Sequence, residues 1–156
     1  MSGFTSTEAL LSRFAAIPAY IVQVIEGRSK EELRVKSAGN EWSMVEVFAH
    51  MRASDDIVTP RIYVILVRET PMLVAYDERR WAKIARYEQL DFHVSLHLFT
   101  MRRAELINVL RLLTSEDWQR VGIHEELGPQ TVLSIVSGLL EHEEEHCAQL
   151  AALAKR

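Results

Sequence analysis

Apolar residues recur at helical spacing in four long segments, and the stretches between them have no such period. Each segment places its apolar side chains three or four positions apart, so that one face of a helix would be buried. The chain is therefore predicted to form four amphipathic helices. They run from about Thr5 to Ile25, Ser43 to Val67, Phe92 to Leu113 and Thr131 to Leu153.

Residues that begin or end helices support these limits. Ser43 is followed three positions later by Glu46, which is the pattern of a capping box. Thr131 precedes the last apolar stripe and is a suitable N-cap, while Gly27 supplies a stop after the first helix. Pro18 lies inside the first segment and predicts either a kink or a break into two shorter helices.

The connection between the second and third helices is unusually long. Residues 68 to 88 lose the helical pattern, and about 20 residues are more than antiparallel neighbours need. A crossover between parallel helices would use that length. Residues 120 to 128 also lack a helical period and have room for a short extended excursion, but no segment shows a convincing strand pattern. The predicted fold class is all-α, a four-helix bundle that forms one domain over residues 1–156.

The last helix carries two histidines where two core residues would be expected. His142 and His146 are four residues apart, so both imidazoles lie on one helix face, one turn apart, and can reach a single metal ion. A histidine on an apolar face is also commonly a core residue with a hydrogen-bond partner. A stable metal site needs at least a third protein ligand. The apolar stripe that they interrupt consists of Val132, Ile135, Val136, Leu139, Leu150 and Leu153.

His50 is the natural candidate for that third ligand, because it lies beside Val47 and Met51 on the inward side of the second helix. The alternative is again a buried histidine without a metal. Glu46, one turn earlier, could orient His50, but its place in the capping box explains it without chemistry.

Other candidate ligands are less well placed. His93 and His97 form a second pair, but it falls one position off the apolar stripe and is expected to bind no structural metal. The lone Cys147 is off the histidine face and is expected to be a small packed residue. A rival site for a harder ion would use Glu141, Glu143 to Glu145 and Asp55 to Asp56.

Composition excludes several classes of function. The 156 residues are 48% hydrophobic, carry a net charge of −4 and contain no basic cluster, so nothing recommends a nucleic-acid partner. No apolar run approaches the roughly 20 residues that span a bilayer, so no membrane partner is expected. A single cysteine fits a reducing compartment, and a cytoplasmic protein is predicted.

The chain resembles the DinB-like metal-binding four-helix bundles. The resemblance rests on Trp42-Ser43-x-x-Glu46-x-x-x-His50 and on His142-x-x-x-His146, and it covers nearly the whole chain. It implies that the three histidines bind a divalent metal and that the bundle runs up-down-down-up, and the family name does not imply DNA binding. Family members of known activity use low-molecular-weight thiols, as thiol S-transferases or as a thiol-dependent isomerase. Further positions that match are Pro18, Arg61, Pro71, Asp77 and Gly128.

Three imidazoles would leave a divalent ion its full charge and an open coordination position, which is typical of catalytic sites. The leading expectation is a metal-dependent transferase that activates a small thiol against an electrophilic small-molecule substrate. The alternatives are a metal-dependent hydrolase and a non-enzymatic, metal-stabilised binding protein. Zinc is the first expectation for the ion, with nickel, iron or manganese as alternatives. A homodimer is the expected assembly, and histidines of ordinary pKa would lose the metal below about pH 6.

Overall fold

A computed structural model describes residues 2–36 and 41–155, with side chains from residue 7 onward. Part of the polar segment predicted at Lys36 to Glu41 lies outside these residues. The helices are α1 Ser2–Ile25, α2 Met44–Val67, α3 Glu78–Ala85, α4 Phe92–Arg111, α5 Ser115–Gln119 and α6 Val132–Ala154. The strands are β1 Met72–Leu73, β2 Val121–His124 and β3 Gly128–Thr131, and single 3-10 turns occupy Glu32–Arg34 and Tyr87–Gln89.

Two of the four long helices, α2 and α6, begin where the capping residues predict. The Ser43 hydroxyl accepts a hydrogen bond from the backbone N–H of Glu46, and the Glu46 carboxylate accepts one from the Ser43 N–H. The Thr131 hydroxyl caps α6 by accepting from Ser134 N at 3.0 Å. α1 continues through Pro18 without a break, so the predicted division into two helices does not occur.

Contacts between α2 and α4 show that these helices are parallel. Near their N-terminal ends, the rings of Phe48 and Phe92 stack with centroids 4.5 Å apart. About two turns further along both helices, Asp56 forms an ion pair with Arg102. The long crossover therefore joins parallel neighbours, as its length predicts.

α1 is parallel to α6 and antiparallel to α4. Arg13 pairs with Glu144, and Arg28, just beyond the end of α1, donates to the carbonyl oxygen of Ala154 near the end of α6. Leu11 lies at one crevice with Leu110, whereas Arg103, two turns before Leu110, lies over the ring of Phe14. α1 and α2 each pack against both α4 and α6. The bundle is therefore up-down-down-up.

The predicted all-α four-helix bundle is confirmed, and a small sheet that no strand pattern indicated is added to it. The crossover and the segment before α6 form a small sheet of order β1-β2-β3. Met72 pairs with Ile123 in the parallel ladder, and Val121 pairs with Thr131 in the antiparallel one. Strands of two and four residues are too short to display a period-two pattern, so the sequence does not reveal them.

Gly122 lets the sheet lie directly on the end of α2. A Cβ atom at this position would come within 2.9 Å of Ile65 Cγ1 and of Leu73 Cδ1, which is closer than packed carbon atoms tolerate. The absence of a side chain at Gly122 therefore allows β2 to pack against the C-terminal end of α2 beside β1.

A buried arginine joins the helices at mid-height. Arg103 of α4 donates to both carboxylate oxygens of Glu143, at 2.7 and 2.6 Å, and to Asp55 Oδ1 at 3.0 Å. It also donates to the carbonyl oxygen of Phe14, whose ring lies 3.6 Å from the guanidinium carbon. Burial lowers the pKa of Arg103, but Glu143 and Asp55 raise it further than burial lowers it. This Arg103 cluster connects all four long helices.

One stretch of α1 qualifies the expectation that no apolar segment is long enough to span a bilayer. By length and composition Thr7–Ile25 could do so, although core helices of soluble proteins satisfy the same criterion. In this fold Phe14, Ile17 and Ile21 of that stretch are buried against the other helices. These inward-facing residues of the stretch belong to the core of the bundle.

Replacing Arg103 by Met should destabilise the protein strongly, because Glu143 and Asp55 would remain buried without their cation. The expected loss in the free energy of unfolding is about 3–5 kcal/mol. Arg13→Met is a matched control, since it removes an exposed ion pair whose contribution is at most about 1 kcal/mol. Denaturant unfolding measures both changes, and equal losses in the two variants would contradict the assignment.

Candidate metal centre

The three histidines singled out in the sequence converge inside the bundle. His50 comes from α2, and His142 and His146 come from α6. His142 Nε2 lies 2.9 Å from His50 Nε2 and 3.2 Å from His146 Nε2. The three candidate ligand nitrogens all lie within 4.8 Å of one another. The prediction that these residues form one cluster is confirmed.

The helix pair explains why the rings meet. α2 is buried along the turn that carries His50, and the Trp42 ring covers that imidazole with centroids 5.2 Å apart. On α6 the spacing of four residues stacks His142 and His146 on the face that meets α2, with ring centroids 4.5 Å apart. Each histidine thus occupies a position that would otherwise carry a core side chain.

The donor set fits a divalent metal ion. Bonds of about 2.0–2.1 Å to a tetrahedral ion would separate ligand nitrogens by about 3.3 Å, close to the two distances from His142 Nε2 to its neighbours. Three facing Nε2 atoms cannot all be satisfied by hydrogen bonds to one another, because each neutral ring has only one N–H group. An ion among them would accept all three lone pairs. Among the residues that the structure describes, this is the one group of three or more histidine, cysteine or acidic side chains close enough to hold a metal.

Electrostatics keeps two of the rings in the form that binds metals. Burial, followed by the neighbouring His146, lowers the pKa of His50 to about 4. Burial, followed by His146 and His50, lowers the pKa of His142 to about 4 as well. Both imidazoles are therefore neutral at physiological pH, with a lone pair available for a metal ion.

Two polar residues near the cluster have different roles: Gln149 orients a histidine ring, whereas Glu46 caps a helix. His146 Nδ1 lies 2.8 Å from Gln149 Oε1, so the ring proton faces the amide and the Nε2 lone pair faces the cluster. Glu46 instead accepts from Ser43 and from the Lys36 ammonium, at 2.8 Å for the latter. Its role is in capping, as favoured from the sequence.

A cleft of about 320 Å³ opens beside the cluster and reaches His142. One wall is α6 and the other is built by the middle of α2, the crossover and the β2–β3 turn. Such a volume suits a small molecule. Polar and charged groups are spread along the cleft, including Ser54, Arg61, Tyr76, Glu78, His124, Glu126, Gln130 and Ser134.

The remaining candidate ligands lie elsewhere. His93 and His97 are exposed on α4, as their phase predicts. Asp55 and Glu143, two members of the rival carboxylate set, are bound to Arg103 instead of forming an ion site with the others. Cys147 is buried, and burial raises the pKa of its thiol to about 12, so it is a packed residue and not a nucleophile.

Sequence reasoning missed His124 and did not single out Arg103. His124 is buried at the end of β2 and lines the cleft, but it lies in a segment without a period. The signal that could have located it is its place immediately before a turn that ends at Gly128, whose φ is 72°.

The comparison with known families agrees with this geometry. A sequence model of the DinB superfamily matches residues 13–150. The chain belongs to the DinB superfamily. This DinB protein is 24% identical over 140 residues to OB0782 of Oceanobacillus iheyensis, across 90% of this chain and 81% of that protein. It is 26% identical over 141 residues to YfiT of Bacillus subtilis, across 90% of this chain and 79% of YfiT. Both relatives are provisionally named metal-dependent hydrolases.

The solved structure of YfiT from Bacillus subtilis has the same fold. It superposes with a TM-score of 0.87, covering 96% of this chain and 86% of YfiT at 22% sequence identity. That structure is described as having an unusual four-helix bundle topology.

Replacing His142 by Ala should abolish stoichiometric metal uptake, because it removes the nitrogen that lies between the other two. His93→Ala is the matched control, since it removes an exposed histidine from another helix and should leave uptake intact. Elemental analysis of untagged protein after zinc loading measures both. Equal loss of metal in the two variants would contradict the site.

Metal ligation by His50 and His142 should persist to lower pH than ligation by ordinary histidines would. His50 and His142 have pKa values of about 4, so protons compete for their nitrogens only as the pH approaches that value, and not below about pH 6. Unfolded histidines protonate near pH 6.5. The stability that these two neutral rings contribute to the metal-free protein is therefore complete above about pH 6.5 and is lost as the pH falls toward 4.

Calorimetric titrations between about pH 7 and pH 4 measure the metal affinity, and denaturant unfolding over the same range measures the stability of the metal-free protein. Affinity that collapses at about pH 6 would show that the rings are not shielded as described.

Proposed function

We propose that this DinB protein is a metal-dependent transferase that activates a low-molecular-weight thiol and directs it at an electrophilic small molecule. The observation that carries the proposal is the cleft that reaches His142 at the edge of the three-histidine cluster. A closed site would favour a purely structural metal, whereas a site with adjoining space allows exchangeable ligands.

The protein's own residues would have distinct roles. His50, His142 and His146 would hold the ion, with Gln149 keeping His146 in the required tautomer. A divalent ion held by neutral imidazoles supplies a Lewis acid that lowers the pKa of a thiol or a water molecule near it. Trp42 covers His50 and shields that side of the cluster from solvent.

The cleft would provide the substrate site. Leu73, Leu139 and Ile135 give it an apolar surface, while Arg61 and His124 supply hydrogen-bond donors on the wall opposite α6. Sites for small molecules commonly combine an apolar lining with a few polar groups that fix orientation.

A metal-dependent hydrolase is the second candidate, and it is favoured by the provisional names of OB0782 and YfiT. The same ion and cleft would serve it, with water in place of the thiol. The non-enzymatic alternative, a metal-stabilised binding protein, would use the cleft only to hold a ligand.

The ion, the location and the assembly belong to the proposal as well. Zinc is the first expectation, with nickel, iron or manganese as alternatives, because imidazole suits several of these ions and availability decides occupancy. The buried, reduced Cys147 accords with a cytoplasmic location. A homodimer that binds neither nucleic acid nor membrane remains the expected assembly.

The two reactions can be separated with one preparation of metal-loaded protein. A thiol-transfer assay would use a panel of small thiols with 1-chloro-2,4-dinitrobenzene, and a hydrolysis assay would use 4-nitrophenyl acetate without thiol. Thiol conjugation that disappears in His142→Ala and survives in His93→Ala would support the transferase. Ester hydrolysis alone, with the same dependence on His142, would support the hydrolase. Equal rates in His142→Ala and the unmodified protein in both assays would overturn both proposals.

A further inference from the structure

His124 lies where the sheet turns back toward α6. It ends β2, where it pairs with Leu73 of β1 and with Gly128 of β3. Its imidazole folds over the turn that follows. Nδ1 accepts hydrogen bonds from the backbone N–H groups of Glu126 and Leu127, at 3.2 and 3.3 Å.

These two hydrogen bonds determine the tautomer of the ring. A nitrogen that accepts from backbone N–H groups must present its lone pair, so Nδ1 carries no proton. The proton of the neutral ring is therefore on Nε2. His124 is a hydrogen-bond donor through Nε2, and it cannot act as a base through Nδ1 without breaking the turn.

The Nε2 donor of His124 forms no hydrogen bond with the described residues of the protein. His124 is only 8% exposed and lines the same cleft as His142. In the part of the chain that the structure describes, no group is found hydrogen-bonded to its Nε2. Nε2 is not among the fully enclosed polar atoms that lack a partner, so it is open to water in the cleft, and a ligand that supplies an acceptor can take the place of that water.

Arg61 supports an oxygen-bearing ligand in the same place. Its guanidinium is half-buried at the cleft, donates to the carbonyl oxygen of Val74 and lies 5.8 Å from the centre of the Tyr76 ring. With His124 it gives the wall opposite α6 two side chains that donate hydrogen bonds.

We propose that His124 is the specificity-determining residue of the cleft and donates from Nε2 to a carbonyl or carboxylate oxygen of the bound substrate. The substrate class is a small molecule, or small thiol, with such an oxygen beside its reacting group. The inference rests on the proposed function, because it assigns a partner to the cleft next to the three-histidine cluster.

Two substitutions separate the donor from the acceptor of this ring. His124→Asn places an amide oxygen near the position of Nδ1, so it can still cap the turn but has no group at the position of Nε2. His124→Gln can place an amide N–H near the position of Nε2, but it has no acceptor at the position of Nδ1. If His124 serves only to cap the turn, His124→Asn should preserve ligand binding better than His124→Gln. If His124 donates to the ligand, His124→Gln should preserve ligand binding better than His124→Asn.

The probes are two neutral thiols of similar shape, 3-mercaptopropionamide and 3-methylbutane-1-thiol, titrated into cobalt-loaded protein and followed by the visible absorption of the cobalt. Unmodified protein should bind the amide about tenfold more tightly than the alkane analogue, as expected for one well-placed hydrogen bond. This preference should vanish in His124→Asn and persist in His124→Gln. Cobalt content should be equal in all three proteins. A ratio of affinities is insensitive to a general loss of stability.

Each alternative outcome has a definite meaning. If both thiols bind but the unmodified protein shows no preference, or if His124→Asn keeps it, the donor role is wrong and the proposed function stands. If neither thiol binds to the loaded protein, the thiol-dependent function fails and the inference fails with it. Nitrogen NMR of the labelled imidazole adds a separate check, since a proton on Nδ1 of His124 would overturn the assignment of the donor.

Discussion

The fold depends on how a guanidinium can be buried in the middle of a helical bundle. Arg103 is almost completely enclosed, and a charge in that position is tolerated only with compensating charges and hydrogen bonds. Glu143 and Asp55 supply them from α6 and α2, and α1 contributes the Phe14 carbonyl. Because hydrogen bonds tolerate little displacement, this cluster sets the axial positions of four helices relative to one another.

The same constraint positions the histidines. Glu143 follows His142 directly on α6, and Asp55 lies five residues after His50 on α2. A slide of α6 along α2 that separated the two imidazoles would also strain the bonds to Arg103. The charged cluster and the candidate metal centre are therefore neighbouring layers of one helix interface, with one layer neutral and the other ionic.

The sequence predicts the parts of this structure that repeat over many residues. α1 and α2 have 24 residues each, which is long enough for the apolar period to be recognised, and a capping box marks the start of α2. Residues that fill a gap in an apolar stripe face the core, and this argument identified His142 and His146 in α6. In α4, Arg103 fills the gap between Phe99 and Leu106, but the sequence did not reveal that this charged side chain is buried. The lowered pKa values of two histidines could not be predicted, because they arise from burial by residues distant in sequence.

The cleft could not be predicted either, since its walls come from segments that meet only in the folded chain. This origin has a consequence for how such a protein can change over evolutionary time. The helices that present the histidines are bound by Arg103, whereas the opposite wall is made of a crossover, two short strands and a turn. Substitutions in that wall would alter what the cleft accepts while leaving the three-histidine cluster and the core undisturbed. The architecture thus permits relatives to diverge in what they bind by varying surface segments around an unchanged cluster of histidines.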